Sequence, residues 1–326
     1  MPLNAYTYQH LYTNMQRRDF IKMGFAVGAA FSLETLSGLF PAAHADEEPI
    51  APTAPMGKPA LVAVRQGSRI AMLDAALAAL GGISAFVKSG QTVVIKPNCA
   101  WDKTPEMSAN THPDLVGHMV KLCKEAGASR VVVFDHSCDN WQRVYRTSGI
   151  QEAVEKNGGE MVTGADESMY REHENPAARN LKKAKVHQAI LDSDVYINMP
   201  VLKHHGGARM TACMKNAMGL VWDRGFFHSN DLHQCIADSV LLRKPDLNIL
   251  DAFAPMLRNG PKGKDENDLI NTRALLAGTD IVAIDAAAAK LLNYPDGEVR
   301  HIDLAAEMGL GEKDLTKVNI KRITLS

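Results

Sequence analysis

Short apolar runs alternate with longer segments of helical periodicity from about residue 60 to the end of the chain. Arg130–Asp135 is continuously apolar between its polar ends, which is typical of a strand buried on both faces of a parallel sheet. Ile281–Leu292 instead carries apolar residues at the spacing of an amphipathic helix. Strands and helices that alternate in this way are joined by right-handed crossovers. The pattern therefore predicts an α/β fold, with a mostly parallel sheet flanked by helices on both faces.

Proline, glycine and capping residues place the ends of these elements. The predicted strands are Ala60–Val64, Thr92–Lys96, Arg130–Asp135, Glu160–Val162, Asp194–Asn198, Asn248–Asp251 and Asn319–Leu325. The predicted helices are Ile70–Val87, Thr111–Ala126, Arg143–Asn157 with a break near Gly149, Met210–Met218, Asn230–Leu242 capped by Ser229, and Ile281–Leu292. Met210, Met214 and Met218 are four residues apart, and we expect this stripe to belong to the core.

Polar residues follow the predicted strands at the point where each strand ends, and the loop after Lys203 adds more. They are Lys96, Asn98, Asp135, His136, Asn198, Lys203, His204, Lys215, Asn216 and Asp251. Ligands of open α/β sheets bind outside the carboxyl ends of the strands. Lysine charge and asparagine hydrogen bonds suit a small anionic ligand such as a carboxylate or a phosphate. We therefore predict an anion pocket at this edge of the sheet.

Three of these residues are candidates for chemistry. Lys203, His204 and Asp135 could transfer a proton, because burial can lower the pKa of a lysine enough for it to act as a base. The other residues are expected to bind the ligand. No glycine-rich dinucleotide fingerprint and no Gly-Lys-Ser/Thr phosphate loop follows any predicted strand.

A second group of residues has the soft and nitrogenous side chains that bind transition metals: His205, Cys213, His228, His233 and Cys235. Their spacing does not match a standard zinc motif. His233 and Cys235 are two residues apart on a predicted helix, so they point to nearly opposite sides. The cofactor is therefore unknown at this point, and a transition metal or an iron–sulfur cluster remains open.

The first 45 residues have the pattern of a twin-arginine signal peptide. Gln16-Arg-Arg-Asp-Phe-Ile-Lys22 is followed by a modest apolar stretch and by the small-x-small site Ala43-His-Ala45. An uncleaved membrane anchor is the alternative, but Glu34 and Pro41 interrupt a stretch that would need about 20 apolar residues. We expect export to a periplasm-like compartment by the twin-arginine machinery, and no stable membrane span after cleavage.

Composition indicates how the chain is divided into segments and argues against nucleic acid as a partner. Asp46–Lys58 is rich in proline and acids and reads as a flexible spacer, and residues 59–326 are predicted to form a single α/β domain. The formal net charge of −1 gives no electrostatic footprint for nucleic acid. Five cysteines cannot all pair within one chain, and we expect buried, unpaired thiols. The oligomeric state stays open.

Eight ordered motifs resemble a known family. They are Lys96-Pro-Asn98, Thr111-His-Pro113, Asp135 at its strand end, Asn198-Met-Pro-Val-Leu-Lys-His204, Met214-Lys-Asn-Ala-Met-Gly-Leu220, Asp251-Ala252, Asn259-Gly-Pro-Lys-Gly263 and Gly278-Thr-Asp-Ile-Val-Ala-Ile-Asp-Ala-Ala287. Together they resemble the domain of unknown function 362 family over roughly residues 60–292. The resemblance implies no settled activity. Some members are associated with iron–sulfur proteins, but this chain has no Cys-x-x-Cys-x-x-Cys run.

Three functions follow as hypotheses. The first is an exported, enzyme-like α/β protein that binds a small anionic ligand in a pocket of lysine, asparagine and histidine. The second is a metal- or cluster-dependent redox protein of the periplasm. The third is an exported protein that binds its ligand without turning it over.

Overall fold

The computed structural model describes residues 57–326. The predicted signal peptide over residues 1–45, and the predicted spacer up to residue 56, lie outside the described residues. The strands of the described part are β1 Leu61–Arg65, β2 Thr92–Pro97, β3 Arg130–Val133, β4 Glu160–Met161, β5 Tyr170–Glu174, β6 Lys183–His187, β7 Val195–Met199, β8 Val201–His205, β9 Arg209–Thr211, β10 Leu247–Met256, β11 Ala274–Gly278 and β12 Ile320–Thr324.

The α-helices of the same part lie between these strands. They are α1 Arg69–Leu80, α2 Pro113–Glu125, α3 Trp141–Thr147, α4 Ile150–Lys156, α5 Gln188–Leu191, α6 Cys213–Asn216, α7 Gly225–Ser229, α8 Leu232–Ser239, α9 Ile281–Leu291 and α10 Arg300–Glu307. Within residues 57–326, no helix has both the length and the apolar character that crossing a bilayer requires.

The main sheet has the strand order β12-β1-β11-β10-β7-β2-β3-β4. The pairs from β10 to β4 are parallel, and so is the pair of β1 with β12. Only β11 breaks this rule in the main path, because it runs antiparallel to both β1 and β10. The prediction of a mostly parallel α/β sheet is confirmed.

Side chains from both faces of the sheet are buried. Leu61 and Ala63 belong to one apolar cluster, whereas Val62 and Val64 of the same strand belong to the other. Alternate residues of a strand point to opposite faces, so each face of β1 contacts its own helical layer. α1 and α2 pack in the second cluster, and α8 and α9 pack in the first. Helices therefore flank the sheet on both faces.

β7 and β8 form almost one strand, interrupted at Pro200. β10 pairs first with β7 at Leu247 and Asn248, and then with β8 at Asp251 and Met256. β2 ends opposite β7, where its last residue pairs with Met199. β8 consequently continues past the carboxyl end of β2, and it then turns back through the short hairpin to β9. This extension overhangs the edge of the sheet where the site lies.

Several predicted elements differ from the observed ones. The predicted helix Met210–Met218 is wrong, because Met210 is in β9 and only the four-residue α6 precedes a 3-10 turn. Its three methionines are all buried in one apolar cluster, as the stripe predicts. The predicted helix Ile70–Val87 ends early at Leu80, because Gly81 and Gly82 adopt positive φ angles of 97° and 80°.

The predicted break near Gly149 is confirmed, whereas other elements differ from the prediction or were not predicted. The break near Gly149 is observed between α3 and α4, where Gly149 has a φ of 72°. The helix predicted from Asn230 begins at Leu232, and its cap is Asp231 instead of Ser229. The hairpin β5–β6, the strands β8, β9 and β11, and the helix α10 had no counterpart in the prediction.

Candidate functional site

A cavity of about 330 Å³ lies at the carboxyl ends of β2 and β3, below the overhang of β8. Seven of the ten predicted polar residues line it: Lys96, Asn98, Asp135, His136, Lys203, Lys215 and Asn216. Parallel strands end at the same edge of a sheet, and this brings side chains from distant parts of the chain together. His205, predicted as a metal ligand, also lines the cavity.

Lys96 and Asp135 form a buried ion pair at the base of the cavity. Lys96 Nζ is 2.7 Å from Asp135 Oδ1, and the two side chains are 1% and 3% exposed. Lys96 also donates to the carbonyl of Pro97 and to Asn216 Oδ1, at 2.8 and 2.9 Å. Burial lowers the pKa of Lys96, although the Asp135 carboxylate acts in the opposite direction. All three ammonium protons are used, so this lysine has little left for a ligand.

Asparagines connect the strand ends behind this ion pair. Asn216 Oδ1 accepts from Asn98 Nδ2 at 3.1 Å, and Asn216 Nδ2 donates to Asn198 Oδ1 at 2.9 Å. Asn198 Nδ2 in turn donates to Asn248 Oδ1 at 2.9 Å. These amides are buried and satisfied, which fixes the orientation of each side chain. The network therefore holds β2, β7, α6 and β10 in register at the site.

Lys203 enters the cavity from β8 and is 1% exposed. Its Nζ donates to Asn98 Oδ1 at 2.8 Å and to the carbonyl of Ala109. Burial and, to a smaller extent, the nearby charge of Lys215 lower the pKa of Lys203 to about 7. Two of its three ammonium donors are used, so one is left for a ligand.

Lys215 is a partly buried lysine on α6. Within the described residues, its Nζ has one hydrogen-bond contact, the sulfur of Met218 at 3.5 Å. Burial lowers the pKa of Lys215 to about 8. The amino end of α6 is held by Asp285, which accepts from the backbone N–H groups of Cys213 and Met214 at 2.7 and 3.0 Å.

Arg224 and Cys138 also line the cavity, and neither was predicted as a site residue from the sequence. Arg224 Nη1 is 2.8 Å from the carbonyl of His136 and 3.2 Å from the sulfur of Cys138. Arg224 does not follow a strand, so its place in the sequence does not mark it as a site residue. His136 stacks on Trp222 with 5.1 Å between the ring centroids, and its Nδ1–H donates to the carbonyl of Val221 at 3.1 Å.

Gly219 provides the space that the ion pair occupies. A Cβ at this position would lie 2.7 Å from Lys96 Cε and would also overlap Asp135 Oδ1. Any side chain would therefore displace the pair. The close approach explains why a glycine stands here, in the turn directly after α6.

Comparison with known proteins identifies the family. The model of the domain of unknown function DUF362 matches residues 93–290, which is more than half of the chain. The chain belongs to the DUF362 family. A thylakoid-associated protein of Synechocystis sp. is 26% identical over 260 residues, which cover 75% of this chain and 76% of the relative.

Solved structures show only distant likeness to this DUF362 protein. The lactate racemase apoprotein from Thermoanaerobacterium thermosaccharolyticum aligns with a TM-score of 0.46 and 9% identity. A protein from Thermotoga maritima aligns with a TM-score of 0.40 and 11% identity. Each alignment covers 69% of this chain and 56% of the other chain, so the DUF362 chain spans little more than half of their lengths.

Three of the predicted site residues do not line the cavity of this DUF362 domain. His204 points away from it, and its Nδ1 accepts from the N–H of Gly260 at 3.2 Å. Neighbours on a strand face opposite sides, so a cavity that takes Lys203 and His205 cannot also take His204. Asn198 lies behind Asn216, as described above. Asp251 instead binds Arg69 Nε at 3.3 Å and accepts from the N–H of His112 at the same distance.

The predicted metal ligands are dispersed in the DUF362 domain. Over residues 57–326, no group of three or more histidine, cysteine, aspartate or glutamate side chains is placed to hold a metal ion. His205 and His228 line the cavity, but His233 pairs with His301, at 3.1 Å between their Nδ1 atoms. Cys235 donates to the carbonyl of Asn230, and Cys213 is buried in an apolar cluster. All five cysteines are unpaired, and Cys138 is the exposed one among them.

Proposed function

We propose that this DUF362 protein binds a small anionic ligand in the cavity at the carboxyl edge of its sheet, as an exported, enzyme-like protein. One observation carries the proposal. Lys203, Lys215 and Arg224 all line the cavity, and within the described residues none of them has a carboxylate oxygen within 4.0 Å. Cations gathered without a carboxylate to neutralise them favour a negatively charged occupant.

A second cavity in the same domain is lined by lysines that are paired with carboxylates. This cavity, of about 440 Å³, is lined by Lys290 and Lys313. Lys290 pairs with Asp296, and Lys313 pairs with Asp303 at 2.6 Å. Neutralised charges of this kind attract an anion weakly. The contrast supports assigning the ligand to the first cavity.

The available donors indicate how the ligand would be held. Lys96 is neutralised by Asp135 and has no free proton. Lys203 has one free proton, and Lys215 faces only a thioether. A carboxylate or a phosphate oxygen would therefore bind between Lys203 and Lys215, with Arg224 adding charge at the rim.

Calorimetric titration tests the proposal. Malonate and inorganic phosphate serve as probes of the two anion chemistries. We expect the wild-type protein to bind at least one of them, and Lys203→Met or Lys215→Met to weaken that binding about 10-fold or more, as for a hydrogen bond to a charged group.

Lys313→Met is the matched control, because it removes a lysine from the second cavity. Its affinity for the probe should equal that of the wild type. Equal affinity in all four proteins would contradict the proposal, and so would the absence of binding to either probe.

We also propose that the chain reaches its compartment through the twin-arginine route, on the basis of Arg17, Arg18 and the Ala43-His-Ala45 site. The double substitution Arg17→Lys and Arg18→Lys keeps the charge and removes the arginine pair. We expect the folded protein to stay in the cytoplasmic fraction, whereas the wild type is recovered outside it with residues 1–45 removed. Recovery of the double variant in the exported fraction would contradict this route.

A further inference from the structure

We propose that Lys215 is a nucleophile, whose amine forms a Schiff base with the carbonyl of a small 2-oxo acid bound in the cavity. This inference rests on the proposed anion binding and adds a reaction to it. The observation that carries it is the difference between three lysines that share one cavity. Lys96 and Lys203 are held by oxygen acceptors, whereas among residues 57–326 the Nζ of Lys215 contacts only the sulfur of Met218, at 3.5 Å.

A partly buried lysine without oxygen acceptors is costly in free energy to keep as a cation. An ammonium group taken from water needs acceptors for its protons, and the Met218 thioether is a weak one. The free amine avoids this cost and keeps a lone pair for attack on a carbonyl carbon. Burial lowers the pKa of Lys215 to about 8, so a useful fraction of the free amine is present near neutral pH.

The short helix α6 keeps this amine in place. Asp285 binds the first two N–H groups of the helix, and the buried amide of Asn216 anchors the residue next to Lys215. Lysine side chains are flexible, but the Cα of Lys215 cannot move without breaking these contacts. The backbone of Lys215 is therefore fixed, while its side chain keeps the freedom to bring Nζ to a ligand.

The rest of the cavity suits a carboxylate next to the reacting carbonyl. Lys203 offers its remaining proton, and Arg224 supplies charge at the rim. His205 also lines the cavity, and its Nδ1 accepts from the N–H of Ala208 at 3.1 Å, so a neutral ring carries its proton on Nε2. Burial and the charges of Lys215 and Lys203 lower the pKa of His205 to about 3, which keeps the ring neutral.

The step balances without an oxidant or a reductant. The Lys215 nitrogen bonds to the carbonyl carbon, and a carbinolamine forms. Two protons move from nitrogen to the former carbonyl oxygen, which leaves as water, and a carbon–nitrogen double bond remains. His205 lines the same cavity, so its Nε2–H is a neutral hydrogen-bond donor available to the departing oxygen. The adjacent carboxylate stays bound to Lys203.

Reductive trapping tests the proposal on the full-length protein. The protein is incubated with pyruvate and cyanoborohydride, which reduces an imine to a stable secondary amine, and the adduct is located by mass spectrometry of peptides. We expect one carboxyethyl group per chain, on Lys215. Excess malonate should slow the labelling, because it occupies the cavity without offering a carbonyl.

Two variants separate the reaction from binding and from folding. Lys215→Arg keeps the charge but cannot form an imine, so we expect pyruvate to bind in calorimetry and the adduct to be lost. Lys121→Arg changes an exposed lysine of α2 and should be labelled at Lys215 like the wild type. If pyruvate binds to the wild type but leaves no adduct, or if the adduct is on Lys203 or spread over exposed lysines, the Schiff-base proposal is overturned while anion binding stands. If inorganic phosphate binds but pyruvate does not, the Schiff-base proposal is overturned and anion binding stands. If pyruvate, malonate and inorganic phosphate all fail to bind, the proposed function itself fails.

Discussion

At the scale of single residues, the charge of Lys96 depends on one partner. Asp135 is 2% exposed and neutralises a lysine that is 1% exposed. Removing one member of a buried pair leaves the other charge without compensation, which typically costs about 3–5 kcal/mol. We therefore expect Asp135→Asn to lower the free energy of unfolding by about that amount, as measured by urea denaturation.

The pair Arg130 and Glu160 is the control, because it joins the neighbouring strands β3 and β4 on the surface. Both side chains are at least half exposed, and their closest atoms are 2.8 Å apart. Exposed pairs contribute about 1 kcal/mol or less. Glu160→Gln should therefore have little effect. Similar losses in the two variants would show that Asp135 does not compensate a buried charge.

Gly219 gives a second prediction at this scale. Gly219→Ala places a methyl group against Lys96 and Asp135, so the ion pair must shift or part. We expect a lower melting temperature and weaker anion binding in calorimetry. Gly206→Ala is the matched control, since a Cβ there has no neighbour within 4 Å. Equal behaviour of the two variants would contradict the close contact.

Most of the polar residues that line the cavity were predicted from the sequence, but not which side chains at the strand ends face it. Lys96, Asn98 and Asp135 meet because parallel strands end at one edge. His204 was also at a strand end, yet the chain continues there as β8 and alternation turns His204 away from the cavity. Arg224 comes from an irregular segment, where no local pattern marks a site.

At the scale of elements, α6 depends on a residue far along the chain. Asp285 of α9 accepts two buried N–H groups of α6, and Asp285→Ala would leave both unpaired. Each unsatisfied group costs about 1–3 kcal/mol. We expect a loss of about 2 kcal/mol or more in chemical denaturation, together with weaker anion binding, because Lys215 and Asn216 are carried by this helix.

Asp280 serves as the matched control for Asp285. It caps α9 by accepting from the N–H groups of Val282 and Ala283, at 3.0 and 2.9 Å, and it does not line the cavity. Asp280→Ala should reduce stability by about 1 kcal/mol, as for other lost caps, and should leave anion affinity unchanged. A parallel loss of affinity in both variants would argue against a specific role of Asp285 in placing α6.

Elements with clear periodicity were predicted well, and elements that depend on tertiary contacts were not. Strong apolar runs gave β2, β3 and β7 within a residue or two at each end. The segment Met210–Met218 has helical spacing, but Met210 pairs with His204 in the β8–β9 hairpin instead. Backbone pairing with a neighbouring strand overrides local periodicity in such a short segment.

At the scale of the whole molecule, the alternation of strands and helices along the chain predicted the fold class, but it did not predict the order of the strands in the sheet. Five parallel strands, β4, β3, β2, β7 and β10, form the part that a βα pattern predicts. The antiparallel β11 joins this part to β1 and β12, and its five residues, Ala274–Gly278, give no signal of direction in the sequence. Such pairings are set by the packing of distant segments. The signal peptide and its cleavage site stay predictions.

The buried lysine Lys203 makes the stability of the whole domain depend on pH. Its pKa is about 7 in the folded protein and near 10.5 in the unfolded chain. Between pH 7 and 10.5 the unfolded chain holds a proton that the folded protein has released, so the free energy of unfolding rises with pH.

Other buried groups change stability outside this pH range. Burial raises the pKa of Asp285 to about 7, so the contribution of Asp285 to stability falls as the pH rises toward 7. Cys99 affects stability only above about pH 9, because burial raises the pKa of its thiol from 9.0 to about 12. Between about pH 7.5 and 9, the change of stability with pH therefore reports on the buried lysines.

Denaturation curves of the ligand-free protein in this window test the effect of Lys203. Lys203→Met should flatten the rise of the free energy of unfolding by about 1 kcal/mol per pH unit, since one bound proton corresponds to about 1.4 kcal/mol per unit. Its two lost hydrogen bonds lower stability equally at every pH, so the slope separates the charge from the packing. Lys121→Met, on the exposed face of α2, should keep the wild-type slope. A saturating anion should flatten the wild-type curve as well, because it holds Lys203 in its protonated form. An unchanged slope in Lys203→Met would mean that this lysine keeps its proton in the folded protein.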